Sequence, residues 1–429
     1  MIRILKEAET DRKAIFARED PVDSVAEPVR AILEDVKAHG DAALKKYTKE
    51  FDGADITSVE VGAGTIDDGF RNADPFLVDI LYRAADRVAA FHQHQVRNSF
   101  LINEESGIVM GQKIIPLERV GLYVPGGTAA YPSSVIMNCI PARLAGVKEI
   151  FMVTPPGKDG KIAPNILAAA RICGVSRVFR VGGAQAVAAL AYGTESIPKV
   201  DKIVGPGNQF VAEAKKQVFG KVGIDMVAGP SEILVVADGK NNPQILAADL
   251  LSQAEHDKNA SAVLVTDSAD LAEAVQAAIE AQLSKLKREE IARASIDANG
   301  KIIVTESIAA ALDIANEIAP EHLELCIDEP FAWLDKVKNA GSVFLGRNCP
   351  EALGDYFAGP NHTLPTSGTA RFSSPLSVDD FVKKTQYTYY TKKALSVAQQ
   401  SVSHFAKQEG LTGHARSIDI RFDESITGE

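Results

Sequence analysis

The sequence has few cysteines, no long apolar run and no block of basic residues, and each absence excludes a class of protein. The four cysteines of the 429 residues lie far apart and form no C-x-x-C pair. This argues against a thiolate zinc site and is typical of a reducing cytoplasm. No apolar stretch approaches the roughly 20 residues of a membrane span, and the N-terminus lacks a signal-peptide pattern. We therefore expect a cytoplasmic protein without a membrane segment.

The charge balance also restricts the partners. The formal net charge is -11, and no cluster of Lys or Arg stands out. A surface that follows a nucleic-acid backbone is therefore not expected, and an anionic ligand would need a local site. The length is sufficient for two or three domains of ordinary size.

Hydrophobic periodicity predicts an α/β protein. Apolar spacing over residues 22–50 indicates a helix, and helical patterns continue to about residue 99. From Val120 onward, short β-branched runs alternate with Gly-rich turns and Ala-rich stretches, as expected for parallel βαβ units. Residues 145–151, "AGVKEIF", are echoed 28 residues later by "CGVSRVF". Each copy predicts a helix end, a Gly turn and a strand.

A second series of elements predicts another module of the same kind. A strand at 232–236 is followed by a helix near 243–254 and a strand at 262–265. After about residue 375 the pattern becomes polar, Tyr-rich and helical. This tail has little apolar sequence for a core of its own, so we expect it to dock on another surface, such as a second subunit.

Three Gly-rich turns could hold a phosphate through backbone N–H groups. They are "VPGGTAAYPSS" (124–134), "VGGAQA" (181–186) and "VGPGNQF" (204–210). The third follows a short strand and opens a helix over residues 211–218, and Asp225 lies near the position of a ribose-binding acid. Phe210 replaces the last glycine of the dinucleotide fingerprint, however, and Asp225 could be structural. The turns alone leave nucleotide binding open.

Several polar groups could bind a metal. Gln253 and His256 are three residues apart near a helix end, with Glu255 and Asp257 as alternative donors. A Gly- and Pro-rich segment predicted as a loop carries Asp355 and His362, and the tail carries Glu409 and His414. Two imidazoles, a carboxylate and an amide oxygen form a set suited to zinc, although their spacing alone is weak support. His92 and His94 are better explained as neighbours of a buried Phe91.

The segment "IAPEHLEL" (318–325) places Glu321 and His322 directly after Pro320. A proline with an acidic residue beside it is an ordinary helix start. The same two groups also have pKa values suited to general acid–base chemistry. From these residues alone the helix start is the favoured interpretation, and the acid–base pair stays open as the alternative.

Motifs along nearly the whole chain resemble the histidinol dehydrogenase family. They are "VGLYVPGGTAAYPSS", "RVGGAQAVAALAYGTE", "KIVGPGNQFVAEAK", "AGPSEILVVAD", "LLSQAEHD", "APEHLEL", "GDYFAGPNHTLPT" and "GLTGHARSI". The resemblance implies oxidation of L-histidinol to L-histidine in two NAD-dependent steps through a retained aldehyde. It also implies one zinc ion per subunit and a homodimer whose tails complete the neighbouring active sites.

The resemblance further implies roles for individual residues. Zinc would be held by Gln253, His256, Asp355 and His414. The substrate would meet Ser231, Gln253, His256, His322, Asp355, Glu409 and His414. NAD would lie near Tyr123, Gln185 and Asn208. The chemistry of this reaction leads us to expect that Glu321 and His322 are catalytic, His322 as the base for the hydroxyl group and Glu321 as the base for the attacking water. We expect the helical turn from Pro320 to present both residues to the substrate.

The implied domain plan has four parts. An N-terminal segment (1–20) precedes a discontinuous Rossmann-like domain (21–117 with 231–375), a second Rossmann-like domain (118–230) and a helical tail (376–429) that makes dimer contacts. Two other functions explain the polar residues but not the Gly-rich turns. A zinc-dependent hydrolase would use Glu321 on metal-bound water, and a metal-responsive binding protein would need neither Glu321 nor His322.

Overall fold

The computed structural model describes residues 1–16, 25–103, 106–126 and 130–427. Two compact units account for the chain. The larger unit contains Met1–Gln95 and Leu117–Phe381, and the smaller unit contains Val96–Pro116 and Val382–Glu429. Within the described ranges, no helix combines the length and the apolar character needed to cross a membrane.

The regular elements are numbered in chain order. The strands are β1 Arg3–Lys6, β2 Glu60–Val61, β3 Phe100–Ile102, β4 Ile108–Pro116, β5 Arg119–Tyr123, β6 Glu149–Thr154, β7 Arg177–Arg180, β8 Lys202–Val204, β9 Gly223–Ile224, β10 Glu232–Ala237, β11 Ser261–Thr266, β12 Lys301–Val304, β13 His322–Cys326, β14 Ser342–Leu345 and β15 Val382–Tyr390. The helices are α1 Arg12–Phe16, α2 Ala26–Asp52, α3 Ala63–Asn72, α4 Pro75–Gln93, α5 Pro132–Ala145, α6 Pro164–Cys173, α7 Gly183–Tyr192, α8 Gln209–Val218, α9 Pro243–Ala254, α10 Ala269–Leu283, α11 Glu289–Asn299, α12 Ile308–Ile318, α13 Pro330–Trp333, α14 Glu351–Tyr356, α15 Lys392–Gln408, α16 Thr412–Asp419 and α17 Glu424–Thr427.

Sheet A of the larger unit has the strand order β1-β12-β11-β10-β13-β14, and all of its pairings are parallel. Apolar clusters lie on both faces, so the sheet is doubly wound, as the strand and helix series from residue 232 predicted. The N-terminal segment is not separate from this domain. β1 pairs with β12 at the sheet edge, and Ile2 is buried in the cluster of α9 and α10.

Sheet B of the larger unit has the order β2-β7-β6-β5-β8-β9, parallel except for the pairing of β2 with β7. The internal repeat is confirmed. α5 and α6 each end at a left-handed glycine, Gly146 and Gly174, before β6 and β7 begin. These glycines provide the positive φ angles that a helix C-terminus commonly requires.

The helices before residue 95 pack on sheet B. Apolar residues of α2 share a buried cluster with Phe151 and Phe179 of β6 and β7, and residues of α4 share one with β5. The prediction that grouped 21–117 with 231–375 is therefore corrected. The apolar faces of these helices cover sheet B, the sheet that follows them in sequence, and not the more distant sheet A.

The start of the tail also differs from the prediction. Leu376 and Phe381 are buried in the sheet B cluster that includes α4 and α5. The smaller unit therefore takes its C-terminal part only from Val382 onward. Through these two apolar side chains, the segment just before β15 packs within the larger unit.

The smaller unit is built from two distant segments of the chain. Sheet C has the antiparallel order β15-β4-β3, so the Tyr-rich segment predicted as helical is a strand. Its alternating Tyr and Thr residues suit a pleated surface better than a helix. In α15 and α16, the described buried side chains are small: Ala394, Ser403, Ala406 and Ala415. The expectation of a limited core is confirmed.

A buried ion pair fixes the turn between β8 and α8. Lys215 pairs with Asp225, and both side chains are nearly inaccessible. Lys215 also donates to the carbonyl of Gly205 at 3.0 Å, and Asp225 accepts from the Gly205 N–H at 2.7 Å. Gly205 has a φ of 116°, and a Cβ at this position would lie 2.1 Å from the carbonyl oxygen of Tyr123. Asp225 is thus a structural residue of this turn.

Replacing Asp225 by Ala should strongly destabilise the larger unit, because the Lys215 ammonium group would remain buried without its partner. We expect the free energy of unfolding to fall by about 3–5 kcal/mol in urea titrations. Lys221→Ala, which changes an exposed cation nearby, should alter it by no more than about 0.5 kcal/mol. A similarly small loss for Asp225→Ala would contradict this account of the ion pair.

Candidate functional site

Glu321 and His322 lie at the amino end of β13, beside the amino end of its neighbour β10 in sheet A. His322 begins β13 and pairs in register with Ile233 of β10. The predicted helical turn from Pro320 is wrong. α12 ends at Ile318, the next residue Ala319 has a φ of 52°, and β13 begins only three residues later at His322. The alternation in "HLELC" and its parallel neighbours favour a strand, which overrides the helix-start signal of the proline.

The orientation of His322 is fixed by the backbone. Its Nδ1 lies 2.9 Å from the carbonyl oxygen of Glu232, so Nδ1 carries the proton and donates it to this oxygen. The Nε2 atom is then the unprotonated nitrogen. It lies 4.0 Å from a carboxylate oxygen of Glu351 and 4.0 Å from one of Asp355. The imidazole therefore turns a free lone pair toward two acidic groups.

Glu321 is held on the other side of His322. Its Oε2 accepts a hydrogen bond of 2.8 Å from the Glu232 N–H and lies 3.6 Å from His322 Nδ1. The backbone of Glu321 is close to β14, since its carbonyl accepts from Ser342 at 2.9 Å. A Cβ on Gly341 would lie 2.5 Å from the same carbonyl oxygen, which requires glycine at that position.

Asp355 lies on the short helix α14, so the prediction of a loop at this residue is corrected. The same helix supplies Glu351, which sequence reasoning missed. His322, Glu351 and Asp355 present ligand atoms within 4.8 Å of one another. The acidic residue of "CPEALGDY" has the pattern of an exposed first helical turn. Its burial results from packing against β13, where the Glu351 N–H donates to Glu324 at 2.7 Å.

The other two predicted ligands of the larger unit lie at the C-terminal end of α9. Gln253 is buried, with its Nε2 atom 3.4 Å from His322 Nδ1. His256 follows the helix end and is exposed. Its proximity adds to the lowering of the pKa values of His322 and His362 by burial, and partly offsets the rise in the pKa of Glu351. Glu255 and Asp257, the alternative donors, are not among the described groups clustered with His322.

Three buried polar atoms around this cluster have no hydrogen-bond partner within the described residues. They are Oε1 of Gln253, Oε1 of Glu351 and Nε2 of His362. His362 is anchored through Nδ1, which lies 3.1 Å from the carbonyl oxygen of Asp355. Buried groups without a partner are costly unless a ligand or ion engages them. A divalent cation with nitrogen and oxygen ligands fits this donor set.

Burial controls the electrostatics of the site. It raises the pKa of Glu321 well above its usual range, and the charges of Glu232, Asp355 and Glu351 add to this effect. Burial lowers the pKa of His322 to about 4. It also raises the pKa values of Glu351 and Asp355. His322 is therefore neutral near pH 7, and a nearby cation would favour the ionised form of the three carboxyl groups.

The remaining residues of the predicted site occupy two places. Ser231 directly precedes β10, and its carbonyl accepts from Ser261 at 2.9 Å. Glu409 follows α15 and His414 belongs to α16; both are exposed in the smaller unit. Their roles in metal and substrate binding stay predictions. His92 is fully buried while Phe91 is 43% exposed, so the prediction of a buried Phe91 is wrong by one position of the helix.

The Gly-rich turns lie at the carboxyl ends of the sheet B strands. The Tyr123 hydroxyl, at the end of β5, accepts from the N–H of Gly183, where α7 begins, at 3.0 Å. Gln185 is buried, and its Oε1 has no partner in the described part of the chain. Asn208 caps α8, with its side-chain oxygen accepting from Phe210 and Val211. Residues 127–129 of the first turn lie outside the described residues.

These features define the chain as an α/β enzyme of the doubly wound type, with a buried imidazole–carboxylate site on one sheet and Gly-rich turns on the other. A family model described as histidinol dehydrogenase matches residues 17–422. The chain is 54% identical to histidinol dehydrogenase of Syntrophotalea carbinolica, over 96% of both chains. It is 52% identical to that of Clostridium acetobutylicum, over 98% of this chain and 99% of the relative.

A solved structure agrees with these relatives. The crystal structure of histidinol dehydrogenase from Elizabethkingia anophelis is similar with a TM-score of 0.93, at 38% identity and over 98% of each chain. The chain therefore belongs to the histidinol dehydrogenase family, whose members are oxidoreductases.

Metal binding tests the donor set. We expect chelator-treated protein to bind Zn²⁺ in calorimetry, and Asp355→Asn and Glu351→Gln to weaken that binding by at least about tenfold, because each removes a charge from the cluster. Asp257→Asn is the control. Asp257 is exposed and lies just after the C-terminal end of α9, and its replacement should leave the zinc affinity unchanged. Equal zinc affinity in all the proteins would show that this cluster does not hold the ion.

Proposed function

We propose that this chain oxidises L-histidinol to L-histidine in two NAD-dependent steps, with a bound aldehyde between them and one zinc ion per subunit. The observation that carries the proposal is the buried Glu321–His322 pair at the amino end of β13, in which His322 faces Glu351 and Asp355. Membership of the histidinol dehydrogenase family supports the choice of substrate.

The reaction requires two separate proton acceptors. The first oxidation removes a proton from the hydroxyl group and a hydride from its carbon, and gives the aldehyde. Water then adds to the aldehyde and loses a proton, a second hydride leaves from the hydrated carbon to give the carboxylic acid, and the acid releases its remaining proton to become the carboxylate. NAD supplies the hydride acceptor in each oxidation. The protein must provide a base for the alcohol and a base for the water.

His322 is suited to the first task. Burial holds its imidazole in the neutral form, and the bond to Glu232 fixes the proton on Nδ1. Nε2 is therefore able to accept the hydroxyl proton, and the resulting imidazolium can later return it as an acid. Glu351 and Asp355, each 4.0 Å from Nε2, can stabilise the positive charge that forms there.

Glu321 is suited to the second task. Its raised pKa makes the ionised carboxylate a stronger base toward water than an exposed glutamate. One of its oxygens is held by the Glu232 N–H, so the side chain is oriented before the substrate arrives. Orientation of a reacting group is worth several kcal/mol in favourable cases.

The residues proposed to hold zinc are Gln253, His256, Asp355 and His414, and the orphaned oxygen of Gln253 is the observation in favour of them. When bound, zinc would supply a positive anchor for the imidazole and amine of the substrate. Gln253 is a neutral ligand and would leave this anchor more positive than a carboxylate would. Ser231, Glu409 and His414 are proposed as further substrate contacts.

The residues proposed to meet NAD are Tyr123, Gln185 and Asn208. The supporting observation is the unpartnered oxygen of buried Gln185, beside the N-terminus of α7. A Cβ on Gly183 would lie 2.5 Å from this oxygen, so glycine keeps the turn open there. Backbone N–H groups at such a helix start favour a bound pyrophosphate.

We propose that the chain forms a homodimer through its smaller unit. We also propose that it acts in the cytoplasm, without nucleic-acid or membrane partners. The smaller unit exposes several large apolar side chains, which its small core leaves uncovered: Phe100, Leu101, Tyr389, Val397 and Phe405. A second copy of the chain is the proposed cover, with Glu409 and His414 entering the neighbouring site.

Counting NADH tests the two-base assignment. With limiting L-histidinol, the zinc-loaded protein should form about two NADH per substrate by absorbance at 340 nm. Glu321→Gln should slow aldehyde oxidation much more than alcohol oxidation, because it removes only the base for water. His322→Asn is the matched comparison and should slow the alcohol step with zinc retained. Equal slowing of both steps by Glu321→Gln would contradict its role, and no NADH from the wild type would contradict the function itself.

Mixed dimers test the tail assignment. His414→Ala and His256→Ala chains should each be inactive. If the tail serves the neighbouring subunit, co-expressed dimers contain one site that lacks both changes and should regain part of the activity. Homodimers of each variant, treated identically, are the control. No recovery in verified heterodimers would place the tail residues in the site of their own subunit.

A further inference from the structure

The acid expected to bind a ribose is not available in this fold. Asp225, the residue selected by fingerprint spacing, is buried in its ion pair with Lys215 and accepts the N–H groups of Gly205 and Met226. Both carboxylate oxygens of Asp225 therefore already have partners in or beside this turn. If the chain binds a dinucleotide at the carboxyl edge of sheet B, another group has to meet the ribose hydroxyls.

Asp52 is a carboxylate near this edge. It takes no part in the Gly205 turn, in the proposed catalysis or in the proposed zinc site. It is the last residue of α2, which packs with α7 in the cluster around Tyr123. The side chain is partly buried, and its Oδ2 is buried without a hydrogen-bond partner in the described residues. A carboxylate oxygen in this condition is stabilised by any donor that reaches it.

The surroundings of Asp52 are the strand ends that would meet a dinucleotide. A Cβ on the next residue, Gly53, would lie 3.8 Å from Cγ of Lys158, in the loop after β6. The charge of Asp52 contributes to the raised pKa of Tyr123, at the end of β5, whose hydroxyl binds the N–H of Gly183. Asp52 therefore lies near the carboxyl ends of β5 and β6.

The same edge offers space for a base. The loop after β6 lines a cavity of about 540 Å³ together with Gly126 and the start of α6. This volume is within the range of small-ligand sites. A second acid, Asp159, also lines the cavity, but it is exposed and its Oδ1 already accepts from the N–H of Lys161 at 3.1 Å.

We propose that Asp52 accepts hydrogen bonds from the adenosine ribose hydroxyls of the dinucleotide and makes the enzyme select NAD over NADP. The inference rests on the proposed NAD-dependent function. A vicinal diol presents two O–H donors, which match the two acceptor oxygens of a carboxylate. A 2′-phosphate replaces one of these donors with negative charge and meets repulsion from Asp52.

The charge state is suited to this role. Burial raises the pKa of Asp52 to about 6, so the carboxylate is ionised at pH 8. Because this pKa lies above the usual value, the contribution of Asp52 to folding stability falls as pH rises through about 6. Asp52→Asn should therefore not weaken folding at pH 8, and a loss of ligand binding in this variant would not result from unfolding.

Direct binding to the full-length protein, measured by calorimetry without histidinol, tests the inference. The wild type should bind NAD more tightly than NADP, and Asp52→Asn should reduce the preference by about tenfold to a hundredfold. Asp55→Asn is the matched control. Asp55 lies only three residues after Asp52, but it is exposed and pairs with Lys49. Asp159→Asn is a second comparison and should leave the preference intact.

A thermodynamic cycle identifies the contact. NAD that lacks the adenosine 2′-hydroxyl should bind the wild type more weakly, while Asp52→Asn should bind both forms nearly equally. Additive losses, an unchanged NAD-to-NADP ratio in Asp52→Asn, or a ratio changed by Asp159→Asn instead would each overturn the assignment to Asp52. If the wild type bound neither dinucleotide, the proposed NAD-dependent function would fail together with this inference.

Discussion

The hydrogen bond between His322 Nδ1 and the carbonyl of Glu232 is the interaction on which the site depends. It connects the first residues of two adjacent parallel strands, so the register of β10 and β13 directly sets the direction of the imidazole. The same peptide region binds Glu321 through the Glu232 N–H. One backbone segment thus orients both polar groups, and Nε2 is left to face the acidic side chains of α14. Strand pairing gives these groups a rigidity that a loop would not provide.

The position of the site departs from the common rule for doubly wound sheets, in which ligands bind beyond the carboxyl ends of the strands. In sheet A, the carboxyl edge beside β10 and β13 is closed by Arg347, which pairs with Asp238 and Asp328 at 2.6 Å each. The reactive groups lie at the opposite edge. In sheet B, the Gly-rich turns lie at the usual edge. Two sheets of similar topology therefore present polar groups at opposite ends.

The sequence was sufficient where local signals and tertiary packing agree. The glycines that end α5 and α6, and the apolar runs that follow them, predicted the repeated helix–turn–strand units correctly. It was insufficient where packing overrides a local signal. Pro320 resembles a helix start, yet parallel neighbours make the next residues a strand. Glu351 resembles a solvated helix-start acid, and only the fold shows that it is buried beside His322. Asp225 has the spacing of a ribose ligand, but the buried Lys215 engages it. Such outcomes depend on partners distant in sequence, which periodicity does not identify.

Sheet C has a consequence for synthesis of the chain. β3 and β4 are translated early, whereas their neighbour β15 follows after the intervening residues 117–381. At ordinary rates of translation, this delay is on the order of tens of seconds. During that time one edge of β4 presents unpaired backbone groups of the kind that promote aggregation. The ribosome-bound chain therefore passes through a period in which chaperone protection of this hairpin has the greatest value, and that period ends only when the last fifty or so residues emerge.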